Sequence, residues 1–321
     1  MNPTHVYRPA EITRLTLDLI AERRDHPGLT VDLGIDKIDA VMNPLLPGEL
    51  CVILARTSNF KTGFMQYWAR YTAKQLLSMG NTTDIVYYAT WEMSVEELGL
   101  YELSAASGVS STDTWRGKIN DEQMDMQREA AMGRLSLPLF IVGHSLAYPS
   151  HISTVWELRN EIIADAKPDG FKPAAVFLDY LQAITPAEGG DRRIQVMANA
   201  DAAKHLAEQL GCPVIVGVQA GRDLDKQVNM VPNLGSSQET SRVEQDADLM
   251  IGLWMPKMMY EAGHMLKEYN VTVTDDLLVC KIVKQRMGKQ GDSFLLSVNP
   301  ALREVKSYHT IDDDGMEGIV F

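Results

Sequence analysis

The chain has 321 residues, 45% of them hydrophobic, and a formal net charge of −13, which fits one large α/β domain or two small ones and argues against indiscriminate nucleic-acid binding by the whole surface. It contains neither a run of about 18 apolar residues nor a signal-peptide core, so we expect a cytoplasmic protein with no membrane-spanning segment and no membrane partner. Its three cysteines lie far apart, beside or within apolar segments, which favours reduced core residues over disulfides or a metal site.

The N-terminal segment reads as a helical arm. Residues 10–24 place apolar side chains on one face and charges on the other, which predicts an amphipathic helix. The turn-rich residues that follow separate this helix from the core. We therefore predict an arm over residues 1–30, one folded domain over 31–305 and a tail over 306–321. The arm needs its own core or a neighbouring subunit to pack on, and the tail is either a disordered end or a partner-binding segment.

From residue 50 onward, short apolar runs alternate with helical segments. The predicted strands are 50–55, 85–90, 139–143, 174–180, 214–219, 249–255, 277–286 and 294–298. The predicted helices lie near 63–79, 94–107, 121–133, 151–166 and 193–210. Alternating strands and helices predict an α/β fold with a mostly parallel central sheet. The closer spacing of the last strands predicts hairpins.

The first strand leads into a loop typical of phosphate binding. Strand 50–55 is followed by a polar loop that ends in Lys61 and Thr62, and then by a helix. Backbone N–H groups at such a helix start face an anion, Lys neutralises it, and Thr ligates Mg²⁺. The usual pattern is G-x4-G-K-[ST], whereas this chain has Ala55 and Phe60 in place of the glycines. The predicted phosphate-contacting residues are Ser58, Asn59, Phe60, Lys61, Thr62 and Gly63.

Polar side chains also follow three later strands, at the edge where ligands of open α/β sheets bind. Asp179 fits a carboxylate that holds Mg²⁺ through water. Glu92 is placed to accept a proton from an attacking water, and Gln219 to sense the γ-phosphate or that water. Each alone also fits an ordinary cap at a strand end or helix start. Their coincidence with the Lys61 loop predicts a nucleoside triphosphatase.

These motifs resemble, in order and spacing, those of the C-terminal motor domain of DnaB-type replicative helicases. The similar segments are PGELCVILARTSNFKT at 47–62, ATWEMS at 89–94, FLDYLQAI at 177–184, VQAGR at 218–222, EQDADLMIGL at 244–253 and KQRMGKQGD at 284–292. The resemblance covers about residues 10 to 300. It implies a RecA-like P-loop core that uses ATP and Mg²⁺.

The resemblance also implies an assembly. Family members form hexameric rings with ATP between subunits and single-stranded DNA in the central channel, and a loader or replication partner is possible. Lys284 and Arg286 match positions that reach the neighbour's γ-phosphate, Arg286 as the arginine finger. Residues 10–24 match the linker helix that docks on the adjacent subunit. The expected DNA-contacting residues are Arg222, Gln238, Glu239 and Arg242.

The departures from the family pattern are specific. We expect the family's N-terminal domain that meets primase to be absent, and therefore no primase coupling through it. Phe60 replaces a loop glycine, which reshapes the loop or requires backbone geometry that a Cβ tolerates. Gln238 and Ser241 replace an Arg and a Gly in the DNA-contacting loop. Loss of that cation removes phosphate attraction, so DNA binding would either be altered or be made through other residues, such as Arg222, Lys226 or Arg242.

Two hypotheses from different classes follow. The first is a ring-forming, ATP-driven single-stranded DNA translocase, a replicative helicase. The second is a DnaB-like ATPase that assembles as a nucleotide-gated scaffold without unwinding, which the altered loop and acidic charge favour. A recombinase-type filament fits less well, because the 244–253 and 284–292 motifs are typical of ring helicases.

Overall fold

The computed structural model describes residues 7–25, 31–148, 152–185, 191–221, 224, 230–234, 236 and 241–308. The chain divides into two units, Met1–Thr30 and Val31–Phe321. The first contains helix α1, Pro9–Asp25, close to the predicted bounds. The apolar side chains of its stripe, such as Ile12 and Leu17, are exposed.

The second unit alternates strands and helices along the chain. Its helices are α2 (Asp36–Asp39), α3 (Lys61–Ser78), α4 (Val95–Ser107), α5 (Ser111–Trp115), α6 (Asp121–Arg134), α7 (Val155–Asp169), α8 (Arg192–Leu210) and α9 (Ser241–Asp246), with single 3₁₀ turns at Leu181–Ala183 and Pro256–Met258. Its strands are β1 (Leu50–Ala55), β2 (Asp84–Thr90), β3 (Leu139–Val142), β4 (Lys172–Asp179), β5 (Val214–Gln219), β6 (Leu249–Trp254), β7 (Met265–Leu266), β8 (Val271–Thr272), β9 (Leu277–Gln285), β10 (Ser293–Asn299) and β11 (Glu304–Ser307).

Nine of these strands form one sheet, in the order β11-β10-β9-β6-β1-β5-β4-β2-β3. The pairs from β6 through β3 are parallel. The remaining pairs, β6 with β9, β9 with β10 and β10 with β11, are antiparallel. The predicted mostly parallel sheet with late hairpins is therefore confirmed. Strands β7 and β8 form a separate antiparallel pair.

The parallel strands are apolar throughout because helices cover both faces of the sheet. All six residues of β1 are buried. On one face, Leu158 of α7 and Ala203 of α8 belong to the same buried cluster as Leu50. On the other face, Trp68 of α3 packs edge-on against Phe177 of β4, with ring centroids 6.0 Å apart. This packing fixes the start of α3 beside the carboxyl end of β1.

Two predicted boundaries move for identifiable reasons. Helix α7 begins at Val155 rather than near 151, because Thr154 caps it and Glu157 closes the capping box. Strand β11 crosses the predicted start of the tail at 306, since Val305 is buried and pairs with Val298. The rest of the predicted tail, residues 309–321, lies outside the described residues.

None of the helices in the described part of the chain combines the length and hydropathy that a membrane crossing requires.

Capping of α4 generates a stability prediction. The Ser94 hydroxyl accepts a hydrogen bond from the Glu97 backbone N–H at 3.2 Å, and the Glu97 carboxylate accepts one from the Ser94 N–H at 2.8 Å. Removing an N-cap hydroxyl costs about 1 kcal/mol, so Ser94→Ala should lower the free energy of unfolding by that amount in urea titrations.

Thr154→Ala removes the equivalent cap from α7 and serves as the matched comparison, with a similar expected loss. An unchanged urea midpoint for Ser94→Ala would show that the cap does not stabilise α4.

Candidate active site

A cavity of about 460 Å³ opens at the carboxyl edge of the parallel strands, where the crossover of chain connections leaves a crevice. Seven of its lining residues were predicted from sequence: Ser58, Phe60, Lys61, Thr62, Gly63, Glu92 and Gln219. Others that sequence reasoning missed include Arg56, Thr57, Tyr180, Met255, Lys257, Pro300 and Arg303. The structure therefore brings the ends of β1, β2 and β5 together around one open space.

The loop after β1 keeps the backbone of a glycine loop without its glycines. Ser58 and Phe60 have φ angles of 65° and 61°, in the left-handed region that costs a residue with a Cβ about 1–2 kcal/mol. The Phe60 ring is 7% exposed and lies on Gly63, where an added Cβ would be 2.5 Å from the ring. Gly63 thus makes room for the ring, and burial of the ring offsets the backbone strain.

Lys61 and Asp179 form a buried ion pair at the floor of the site. The Lys61 Nζ lies 2.8 Å from Asp179 Oδ1, and the two side chains are 12% and 1% exposed. The Tyr88 hydroxyl donates to the other carboxylate oxygen at 3.0 Å. Burial, with the nearby Asp179 charge, raises the pKa of Tyr88 well above its usual value, so it remains a donor. Gly217 lies beneath, since a Cβ there would be 3.0 Å from Lys61 Nζ.

Gln219, at the end of β5, contacts the loop between β1 and α3. Its Nε2 donates to the Thr57 hydroxyl at 2.6 Å. Gln182 clasps its backbone, donating to the Gln219 carbonyl at 3.0 Å and accepting from the Gln219 N–H at 3.1 Å. Gln182 is therefore a positioning residue that sequence reasoning missed. Its signal was its place in the FLDYLQAI segment, shortly after Asp179 and Tyr180.

Glu92 projects at the rim from a turn that is fixed on both sides. The Thr90 hydroxyl accepts from the Met93 N–H at 3.1 Å and donates to the Met93 carbonyl at 3.2 Å. The Trp91 N–H donates to the Asp179 carbonyl at 3.1 Å. The Glu92 side chain is exposed and lines the cavity, so its carboxylate is accessible to water.

Asn59 packs its side chain into the protein beside the cavity. Its side chain is 2% exposed and does not line the cavity. Its Oδ1 accepts from the Met255 N–H at 2.7 Å, and its amide donates to the Thr57 carbonyl at 3.0 Å. The Asn59 side chain therefore holds the loop against the end of β6, and the predicted contact of this loop residue with phosphate stays a prediction.

Lys284 and Arg286 lie on or just after β9 and do not line this cavity. The Lys284 ammonium donates to three carbonyls at the end of α9, those of Glu244, Gln245 and Ala247, at 2.7, 3.1 and 2.6 Å. The Arg286 side chain is 72% exposed, and its Nη1 lies 2.7 Å from Asp248 Oδ1. The two predicted cations thus belong to a different surface of the same chain.

Most of the predicted DNA-contacting residues lie outside the part of the chain that the structure describes. Arg222, Gln238 and Glu239 lie outside the described residues, as does Lys226. Arg242 belongs to α9, but its side chain is outside the described part of the chain.

Comparisons of the chain with known proteins agree on one helicase family. Residues 30–302 match the model of the DnaB-like helicase C terminal domain. A replicative DNA helicase DnaB of Mycoplasma genitalium is 28% identical over 68% of this chain and 45% of its own length. One from Helicobacter pylori strain ATCC 700392 / 26695 is 24% identical over 94% of this chain and 58% of its own length. The chain thus spans about half the length of these curated relatives.

Two solved structures share the fold. An isolated ATPase domain aligns with a TM-score of 0.78 at 19% identity and covers 94% of this chain and 100% of its own. A DnaB-like replicative helicase, described with its interactions with primase, aligns with a TM-score of 0.74 at 19% identity, covering 96% of this chain and 68% of its own. The predicted RecA-like fold is confirmed.

The left-handed loop generates a paired prediction at Phe60. Phe60→Ala and Phe60→Gly both remove the buried ring, and each should lower the free energy of unfolding by roughly 3–5 kcal/mol. Only glycine relieves the backbone at φ 61°, so Phe60→Gly should be more stable than Phe60→Ala by about 1 kcal/mol. Urea unfolding of the two variants side by side measures the difference.

If Phe60→Ala equals or exceeds Phe60→Gly in stability, the loop does not hold the left-handed conformation in solution.

Proposed function

The chain belongs to the family of DnaB-like helicase C-terminal domains, which its residues 30–302 match. From this premise we propose that it is an ATP-driven translocase that moves along single-stranded DNA and unwinds the duplex. The observation that carries the proposal is the arrangement of Lys61, Glu92 and Gln219 around one cavity, with Asp179 paired to Lys61. These four side chains supply the functions that phosphoryl transfer to water requires.

Each residue has a chemical task with ATP in the cavity. The first N–H groups of α3 point at the phosphates, and Lys61 turns from Asp179 to neutralise them. Glu92 accepts the proton of the attacking water at the accessible rim. Gln219, tied to Thr57 at 2.6 Å, holds that water or the γ-phosphate. This link couples the position of β5 to the presence of the terminal phosphate.

Thr62 and Asp179 fit the demands of Mg²⁺. The Thr62 side chain lines the cavity, and both Asp179 oxygens already carry a hydrogen bond or an ion pair. Asp179 therefore suits a water-mediated contact, which Mg²⁺ accepts because it retains several of its waters. Mg²⁺ held there would neutralise the charge that develops on the phosphate oxygens.

Arg286 acts on the site of a neighbouring copy in a ring, with a hexamer as the proposed assembly. Its side chain is exposed, but an ion pair with Asp248 Oδ1 at 2.7 Å holds it in one orientation. The other Asp248 oxygen pairs with Lys204 Nζ, also at 2.7 Å. A cation held in this way loses little conformational freedom on reaching a phosphate. Lys284 stabilises the end of α9 and reaches the same neighbouring site when the ring closes.

Single-stranded DNA is the proposed polymer partner, held by its backbone inside the ring, with Arg222, Gln238, Glu239 and Arg242 as the candidate contacts. A closed ring needs opening to admit a strand, so a loader or another replication protein is a further proposed partner. A protein that acts on replicating DNA is proposed to work in the cytoplasm. The scaffold alternative is disfavoured, because a scaffold has no need for a water-activating set around the cavity.

Substitution of Lys61 tests the hydrolytic site. Lys61→Ala should abolish ATP turnover, because it removes the phosphate-neutralising cation and leaves Asp179 buried without its partner. Wild-type turnover should rise on addition of single-stranded DNA and fall steeply with salt. Lys74→Ala removes an exposed cation from the same helix, outside this cavity, and should retain wild-type turnover in the same steady-state assay.

Wild-type turnover by Lys61→Ala would contradict the site. DNA-stimulated hydrolysis without displacement of an annealed strand would favour the scaffold hypothesis.

Substitution of Arg286 tests the contribution in trans. Arg286→Ala should lower the hydrolysis rate by roughly 10³–10⁵, the usual effect of an arginine finger, with nucleotide affinity in the isolated subunit unchanged. Lys289→Ala, which removes a nearby exposed cation, is the control. Mixed rings of Arg286→Ala and Lys61→Ala subunits should regain activity, because some interfaces then combine an intact Lys61 with a neighbour's intact Arg286.

Absence of any recovery in rings shown to be mixed would place Arg286 outside the neighbour's site.

A further inference from the structure

We propose that Arg303 is a nucleotide-binding residue, contributed by the turn between β10 and β11, whose guanidinium binds the α-phosphate of the nucleotide. The inference rests on the proposed ATP function and deepens it by assigning a phosphate contact outside the motifs that define the family resemblance. Arg303 lines the same cavity as Lys61, although the two lie far apart along the chain.

The Arg303 side chain is held in place by aromatic rings. Its guanidinium carbon lies 3.9 Å from the centroid of the Tyr101 ring and 5.9 Å from that of Phe60. These contacts stack the planar cation and leave its N–H edge available. The side chain is therefore oriented before any ligand arrives.

The backbone of Arg303 is anchored as well. Its φ of 49° is in the left-handed region, and its carbonyl accepts a hydrogen bond from Arg70 Nη2 at 2.6 Å. Arg70 in turn forms a buried ion pair with Glu102 at 3.0 Å. The nearby carboxylate is thus committed to Arg70, and the turn is tied to α3 and α4.

The charge of Arg303 has no counter-ion in the described part of the chain. No carboxylate there lies within ion-pair distance of its guanidinium, and its Nε is buried without a hydrogen-bond acceptor. An unpaired buried donor costs free energy comparable to a lost hydrogen bond. A guanidinium fork matches two phosphate oxygens. A phosphate in the cavity would neutralise the charge and accept hydrogen bonds from the terminal Nη groups.

The position of Arg303 selects which phosphate it meets. Lys61, with Asp179 beside it, marks the end of the cavity where the β- and γ-phosphates lie. Arg303 instead borders the Phe60 ring, which rests on Gly63 in the first turn of α3. The backbone N–H groups of that turn cradle the α- and β-phosphates. Arg303 therefore faces the α-phosphate, which ATP and ADP share.

The test measures nucleotide affinity in the full chain by calorimetry with ADP and with a non-hydrolysable ATP analogue. Arg303→Met should weaken both by roughly tenfold, the effect of losing a charge-assisted hydrogen bond. Arg303→Lys keeps the charge but loses the fork, and should show a smaller loss. Lys306→Met removes one cation from the neighbouring β11 surface, outside this cavity, and should bind both nucleotides as the wild type does.

The melting temperature of the nucleotide-free protein distinguishes a nucleotide-binding role of Arg303 from a purely structural one. Near-wild-type affinity of a folded Arg303→Met, within about twofold, overturns the inference, as does a lowered melting temperature with unchanged affinity, since Arg303 would then only support Phe60. If Arg303→Met does not fold, Arg303→Lys decides by the same criterion. Failure of this inference alone leaves Lys61→Ala without turnover, whereas failure of the proposed function leaves the wild type unable to bind either nucleotide.

Discussion

A lysine and an aspartate meet beneath the cavity, and the low exposure of both side chains means that neither charge can be left alone there. Burial of one unpaired charge is far more costly than burial of the Lys61–Asp179 pair, so the start of α3 and the end of β4 are fixed relative to each other. The surroundings conform to this pair: Gly217 gives the lysine room, and Tyr88 satisfies the second carboxylate oxygen. In the proposed function, a triphosphate would compete with Asp179 for Lys61, and the pair would be the arrangement of the site without nucleotide.

The loop above the pair depends on conformation more than on residue type. A Cβ is tolerated at Phe60 because the ring is buried on Gly63, while Asn59 ties the loop to Met255 at the end of β6. Backbone strain of this kind persists where the surroundings over-determine it. The glycine pattern is therefore replaced by a set of contacts that keep the first residues of α3 at the cavity.

Much of the sheet and of the cavity lining could be predicted from the sequence, because continuous apolar runs locate buried parallel strands. The predicted bounds of β1 and β5 agree with the structure, and polar residues at strand ends located Lys61, Glu92 and Gln219. Side-chain direction within a loop is not encoded in that pattern, so the inward direction of the Asn59 side chain could not be predicted. Arg303 carried no local signal either, because its place beside Phe60 arises only when β11 pairs with β10.

The chain is acidic as a whole, but cations line its cavity, and this local charge explains how the cavity suits an anionic ligand. The cavity is lined by Arg56, Lys61, Lys257 and Arg303, with Glu92 as the carboxylate at its rim. At physiological ionic strength, charges are screened beyond about 8 Å, so a nucleotide inside the cavity responds to these neighbours and little to the net charge of −13. The same reasoning applies to a DNA strand. In the proposed ring, contacts to DNA would come from a few cations concentrated in the channel, because an acidic outer surface does not attract a polyanion.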